Sequence, residues 1–257
     1  MSLAVSGVGV VMRGKAVLSD VGFHAARCEL VVLAGPNGAG KTTLLKAIAR
    51  LIAASGSVLW DGADLHAMSA AERARILAYL PQGHVAHWPI TVREAVAIGR
   101  APAASSLTRL NDIDRKAIEA ALAATDTAQF ADRPITALSS GERARVMLAR
   151  ALAAEAPLLL ADEPVASLDP AHQLAVMELL ARTAHAGRLV IAVIHDLTLA
   201  GRFADRVLLI EDGRLVADGR ASEVLTPEQV ARVFHVESVR VAADGANVLL
   251  PWAVTRP

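Results

Sequence analysis

Gly35, Pro36, Asn37, Gly38, Ala39, Gly40, Lys41 and Thr42 stand in an unbroken row, with Thr43 next. Glycines at this spacing let a backbone curl until successive N–H groups point at a polyphosphate, and a following helix adds the positive end of its dipole. In such a loop the lysine reaches the outer phosphates, and the last hydroxyl offers a ligand to Mg²⁺. The flanks supply the context the motif needs: an apolar, strand-like run at 30–34 and helical periodicity from 43 to 51. These residues predict a nucleoside triphosphate site.

A pair of carboxylates comes second. The apolar run 158–161 ends in Asp162 and Glu163. A strand ending there brings Asp162 beside the phosphate loop, where it can hold Mg²⁺ through water, and sets Glu163 nearer the terminal phosphate. Glu163 is then the candidate to polarise an attacking water. A third element, Leu138, Ser139, Ser140, Gly141 and Glu142, opens a helical stretch over 140–154. Locally, Ser139 reads as an N-cap and Gly141 as a weak point in the first turn. A serine and a glycine at a helix N-terminus also make an anion site. One polyphosphate does not need two separated helix ends from one chain, so this end is expected to serve a neighbouring subunit's nucleotide.

The elements that must position these groups alternate in texture. Runs at 8–12, 30–34, 57–60 and 76–80 are strand-like, and Asp61 with Gly62 marks a turn. Ser69 followed by Glu72 is a capping-box pattern opening a helix over 69–76. From about 84 to 156 the chain is Ala-rich, with helical spacing at 91–99, 112–124 and 140–154 and a loop at Pro102 and Ser105-Ser106. Strand texture returns at 158–161, 189–194 and 206–210, and 211–214 reads as a hairpin turn into 215–217. The expected class is α/β, one domain over 1–257. Its nucleotide-binding core covers 1–83 and 157–240, a helical insertion covers 84–156, and a tail covers 241–257.

Composition narrows the class. The 257 residues carry no formal net charge, so no basic field points to nucleic acid. Cys28 is the single cysteine, which excludes an internal disulfide, and it reads as a small buried hydrophobe. Hydrophobic residues make up 54% of the chain, yet every apolar stretch is strand-sized, short of the ~18 residues that span a bilayer. No secretory signal pattern is present. A soluble chain, brought to any membrane by a partner, is the expectation.

Taken together, these motifs resemble the nucleotide-binding subunit of ATP-binding cassette (ABC) transporters over nearly the whole chain. Residues 35–42 match the family's phosphate loop, Asp162 its Walker B aspartate, and Glu163 its catalytic glutamate. Leu138 to Glu142 resemble the signature Leu-Ser-Gly-Gly-Gln, with Ser140 and Glu142 as departures. Gln82 matches the Q-loop glutamine that touches metal and water, Ser167-Leu168-Asp169 the D-loop, and His195 the switch histidine that contacts the terminal phosphate.

The resemblance implies a RecA-like P-loop NTPase core, an N-terminal antiparallel β subdomain and an inserted helical subdomain. It implies ATP and Mg²⁺ as ligands, with Thr42, Gln82 and Asp162 toward the metal. It implies a head-to-tail homodimer on integral-membrane permease subunits, served by a periplasmic or lipoprotein substrate-binding protein, at the cytoplasmic face of the cell membrane. The aromatic residue that commonly stacks on adenine falls near Met12 and Arg13; none is there, and Arg13 can stack by its guanidinium plane. Segments 88–102 and 225–234 resemble the iron-siderophore, haem and cobalamin importer ATPases in particular. The alternatives are another cargo (an oxyanion, amino acid or lipid) or a non-transport ABC ATPase acting on nucleic acid or ribosomes.

Several residues invite a functional reading that the local pattern does not require. His84 and His87, near Asp112 and Asp114 in sequence, lack a third ligand at short spacing for a metal. Trp88 is balanced between core packing and a membrane partner's helix, whereas Trp60 reads as core. Arg143, Arg145 and Arg150 read as the solvated face of the signature helix.

Overall fold

The structure, a computed structural model, describes residues 2–83, 89–103, 110–243 and 246–255. His84, His87, Trp88 and the Ser105-Ser106 loop lie outside the described residues. In chain order, β1 (Ser2–Met12), β2 (Lys15–Ala26) and β3 (Glu29–Ala34) lead into α1 (Lys41–Ile48). Next come β4 (Ser55–Trp60), β5 (Ala63–Asp64), α2 (Ala70–Ile76) and β6 (Leu77–Leu80). The inserted helices are α3 (Val92–Ala97), α4 (Asp112–Ala124) and α5 (Ser140–Ala153). The core resumes with β7 (Leu158–Asp162), α6 (Pro170–His185), β8 (Leu189–Val193), α7 (Leu197–Phe203), β9 (Arg206–Glu211) and β10 (Arg214–Gly219). The chain closes with α8 (Ala221–Val224), α9 (Pro227–Phe234), β11 (Val236–Ala243) and β12 (Ala246–Val254).

Two sheets do most of the positioning. The first, in order β2-β1-β4-β5, is antiparallel throughout. The second runs β10-β9-β3-β8-β7-β6, parallel except for the β9–β10 hairpin. Strands β3, β7 and β8 are apolar apart from Glu29 and Asp162 at their ends, because a parallel sheet is covered on both faces. Their side chains divide by alternation. Val31, Leu33, Leu158 and Leu160 join Leu44, Leu45 and Ile48 of α1 and the first sheet, whereas Leu30, Val32, Leu159 and Ala161 join α6 and the inserted helices. Two cores thus share one sheet, and this is the α/β P-loop architecture with an antiparallel sheet and inserted helices that the resemblance implied.

The inserted helices are held by capping and by one buried charge cluster. Thr91, Asn111 and Ser139 each cap a helix and each belongs to a reciprocal capping box. Arg100, 4% exposed, donates to Asp114 (2.9 Å), to the Ala153 carbonyl (2.8 Å) and to Glu155 (2.8 Å). It therefore ties the segment after α3 to α4 and to the end of α5. Asp114, considered beside the histidines, is spent on this pair and on its capping box.

Three expectations differ from the structure, and one strand, β2, answers to no expectation. Strand β2 carries no strong strand signal of its own; it forms because it closes an antiparallel pair with β1. The tail expected from 241 is a hairpin, since β12 pairs with β11, buries Leu249 against α7 and accepts at the Leu249 carbonyl from Thr198. Cys28 is exposed, at a left-handed turn (φ 67°) between β2 and β3. Arg145 is not on a solvated face: it is buried and donates to Asp126 and to the Asp126 carbonyl, because α4 and its following turn cover that side of α5. Trp60 is in the core, as read.

Candidate functional site

The phosphate loop bridges β3 and α1, and the β9–β10 turn supports it from below. Asp212 and Gly213 both have positive φ (46° and 73°), the pairing a tight two-residue hairpin turn uses. Gly213 donates from its amide to the Ala39 carbonyl (3.0 Å), and its own carbonyl accepts from Ser19 of β2 (2.9 Å). No side chain fits there, because a Cβ on Gly213 would sit 2.2 Å from the Val17 carbonyl. The turn legible in the sequence as a local feature is therefore what joins the first sheet to the loop. Gly35 faces the same constraint, with φ +150° and a Cβ position 2.1 Å from the Ile210 carbonyl.

Lys41 heads α1 and is buried, and its Nζ donates to the carbonyls of Gly35 and Pro36, both at 2.7 Å. An ammonium has three donors, so one remains for a ligand. Burial lowers its pKa, against the opposing fields of Glu163 and Asp162. Thr42 donates from Oγ1 to Asp162 Oδ1 (2.8 Å), and Tyr79 of β6 donates from its hydroxyl to Asp162 Oδ2 (3.2 Å). Asp162 is fully buried; burial raises its pKa, and the bonds from Thr42 and Tyr79 pull it back down. Burial and the neighbouring Asp162 charge push the Tyr79 phenol well above its ordinary value, which keeps it a donor.

Glu163 follows at φ 54°, a left-handed conformation uncommon for such a residue, and its Oε1 lies 2.7 Å from His195 Nε2. At that distance the imidazole N–H donates to the carboxylate. His195 stands just past β8, and Asp196 behind it caps α7 through the amides of Thr198 and Leu199.

These groups share one cleft of about 410 Å³, lined by Asn37, Gly38, Gly40, Lys41, Thr42, Thr43, Gln82, Glu163 and His195, with Val17 on the wall. Gly35, Pro36 and Ala39 form the underside of the loop, and Asp162 lies beneath Thr42. Val17 and Tyr79 carry no motif, and only strand pairing brings them here. Arg13 is elsewhere: it is exposed at the β1–β2 turn (φ 51°) and does not line the cleft.

The other expected residues also stand apart. Ser139 caps α5 in a reciprocal box with Glu142: Ser139 Oγ accepts from the Glu142 amide (3.3 Å), and the Glu142 carboxylate accepts from the Ser139 amide (2.8 Å). That backbone bond, with the Ser139 side chain, lowers the Glu142 pKa. The acid that departs from the family signature is thus employed as a cap. Ser140 lines a separate cavity of about 190 Å³ with Gln82, Gly83, Arg143, Ala166 and Ser167. Gly141 faces Ser167 and Leu168. Asp169 caps α6 and binds His172 through the amide (3.0 Å) and Nδ1 (2.7 Å). Gln82 is the residue common to both cavities.

A phosphate loop on a parallel sheet, a buried acid beneath its threonine and a second acid facing a histidine define a P-loop nucleotide-binding protein. Residues 18–166 match the ABC transporter family model. The chain is 42% identical to a hemin import ATP-binding protein of Rhodococcus jostii, over 98% of this chain and 86% of the relative. It is 40% identical to an iron(3+)-hydroxamate import ATP-binding protein of Bacillus subtilis, over 96% and 92% of the two chains. Among solved structures it is similar to a metal-chelate type ABC transporter in an inward-facing conformation (TM-score 0.82, 23% identity, 98% and 97% covered), a likeness of fold. It is also similar to the dimeric cassette MJ0796 (TM-score 0.76, 26% identity, 85% and 98% covered). The chain belongs to the ABC transporter family and is an ATP-binding ATPase subunit of it.

Proposed function

We propose that this chain hydrolyses ATP to drive an importer of metal chelates of the iron-siderophore, haem or cobalamin kind, as a homodimer at the cytoplasmic face of the membrane. The observation that carries the chemistry is the convergence of Lys41, Thr42, Gln82, Glu163 and His195 on one cleft. The cargo class rests on relatives named for hemin and hydroxamate import, joined by a cobalamin import protein of Halobacterium salinarum at 43% identity.

Each residue has a role that its chemistry supports. Loop amides and Lys41 bind the outer phosphates. Glu163 accepts a proton from the attacking water, and His195 holds that carboxylate and faces the terminal phosphate. Adenine is proposed to rest toward Val17, with Arg13 able to approach only from the exposed turn. Among the described residues no cluster of three or more His, Cys, Asp or Glu could hold a metal by itself. The available donors are instead a hydroxyl, a carboxylate and an amide oxygen, on Thr42, Asp162 and Gln82. Such a sparse oxygen set fits Mg²⁺, which takes few protein ligands and completes its shell with phosphate and water. Bound there, Mg²⁺ would neutralise charge developing on the phosphates.

Ser139, Ser140 and Gly141 are proposed to bind the nucleotide of a second copy, with Asp169 near that contact. Their separation from the phosphate-loop cleft supports this, since within one chain they do not line it. No helix among the described residues is long and apolar enough to cross a membrane. The proposed partners are therefore permease subunits that span it, with a substrate-binding protein on the far side.

Affinity purification of the chain from membranes of its native cell tests the reading. Recovery of a polytopic permease, with a chelate-binding protein encoded or co-purified beside it, is expected. Recovery with ribosomes or nucleic acid alone would overturn the transport assignment while leaving the ATPase intact.

A further inference from the structure

We propose that Tyr79 is a positioning residue that fixes the Asp162 carboxylate for its metal, making the strand before Gln82 part of the metal-binding apparatus. This rests on the reading of Asp162 as the metal-bearing carboxylate. The case begins with strand alternation. Leu77 on β6 and Leu158 and Leu160 on β7 face the core beneath α1; Tyr79 packs against that core, and Asp162 continues the β7 alternation to the same face. Parallel pairing sets Tyr79 level with Leu160, two residues short of Asp162, which a phenol can reach across. The result is a carboxylate with one hydroxyl on each oxygen: Thr42 at 2.8 Å on Oδ1 and Tyr79 at 3.2 Å on Oδ2.

Two donors from two different elements stop the carboxylate from rotating, and each oxygen keeps lone-pair capacity for a further partner. Asp162 has no solvent exposure, so water does not replace a lost donor freely. Without Tyr79 the group is anchored on one side alone, by a threonine that itself faces the phosphates. Tyr79 also stands three residues before Gln82, on the strand that delivers that side chain to the cleft. The same strand thereby sets the place of two oxygen donors.

The test uses the full chain saturated with a non-hydrolysable ATP analogue and titrated with Mn²⁺, read by paramagnetic resonance of the bound ion. Tyr79→Phe keeps the ring and its packing. It is expected to weaken Mn²⁺ affinity about five-fold, the worth of one net hydrogen bond. Affinity for the analogue in chelator, without metal, is expected to stay as in wild type. A merely structural role would move both affinities together, and that outcome, or an unchanged Mn²⁺ affinity, would overturn the proposal. Asp162→Asn separates the two layers. If it binds Mn²⁺ as wild type does, the assignment of Asp162 fails and the proposal with it. If it loses Mn²⁺ while Tyr79→Phe does not, only the role of Tyr79 fails.

Discussion

His195 Nε2 lies 2.7 Å from Glu163 Oε1, and the two side chains come from the ends of neighbouring parallel strands, β8 and β7. Glu163 reaches this contact from a left-handed backbone (φ 54°), a conformation that costs on the order of 1 kcal/mol and is held by its surroundings. The histidine therefore aims the carboxylate. His195→Ala is expected to lower ATP turnover by about 10²-fold while nucleotide binding persists, as steady-state hydrolysis beside equilibrium binding will show.

Burial raises the Asp162 pKa, and this gives stability a definite pH dependence. A folded pKa above the unfolded value means that folding favours the protonated acid. The cost is absent below the unfolded pKa of about 4 and grows as pH rises through the raised folded value. Asp162→Asn has no carboxyl to titrate and so lacks this pH dependence. The stability of this variant relative to wild type should climb as pH rises from about 4 through the raised folded value in paired urea titrations; a flat difference would contradict the sign.

Arg100 and Asp114 form a buried ion pair (2.9 Å) inside the helical insertion. Arg100→Ala leaves the Asp114 charge without its partner and should cost about 3–5 kcal/mol in urea unfolding. Replacing both residues by apolar ones of similar size should recover much of that loss, because the penalty lies in the stranded charge.

The loop glycines are not equivalent. A Cβ on Gly35 would meet the Ile210 carbonyl at 2.1 Å, whereas a Cβ on Gly38 has nothing within 4 Å. Gly38→Ala should cost only its left-handed backbone (φ +81°), about 1 kcal/mol. Gly35→Ala should cost more than about 3 kcal/mol, since backbone must move. Denaturant midpoints of the two variants give the comparison directly.

What could be read from the sequence follows from how local each feature is. The phosphate loop, the acid pair after β7, the capping box at Ser69 and the N-cap at Ser139 are each complete within a few residues, so their chemistry shows in the order of the chain. Val17 and Tyr79 have no such signature: Val17 lines the cleft from β2, and Tyr79 reaches Asp162 because β6 lies beside β7. Arg145 misleads for a related reason. Helical periodicity gives the faces of α5 but not the neighbour that covers each one, and the turn holding Asp126 covers this one. Residue type alone points Cys28 inward, whereas the left-handed turn that exposes it depends on where β2 ends. The hairpin of β11 and β12 pairs locally, but its support comes from the distant α7, which a tail reading cannot foresee.

The central claim is a nucleotide site completed by a second copy and cleared by Glu163. Light scattering of Glu163→Gln with and without Mg²⁺·ATP, beside a turnover assay, tests it most directly. The account predicts a monomer that becomes a stable dimer with ATP, with turnover lowered by at least about 10²-fold. A variant that remains monomeric with ATP bound, or that hydrolyses ATP at the wild-type rate, would contradict it.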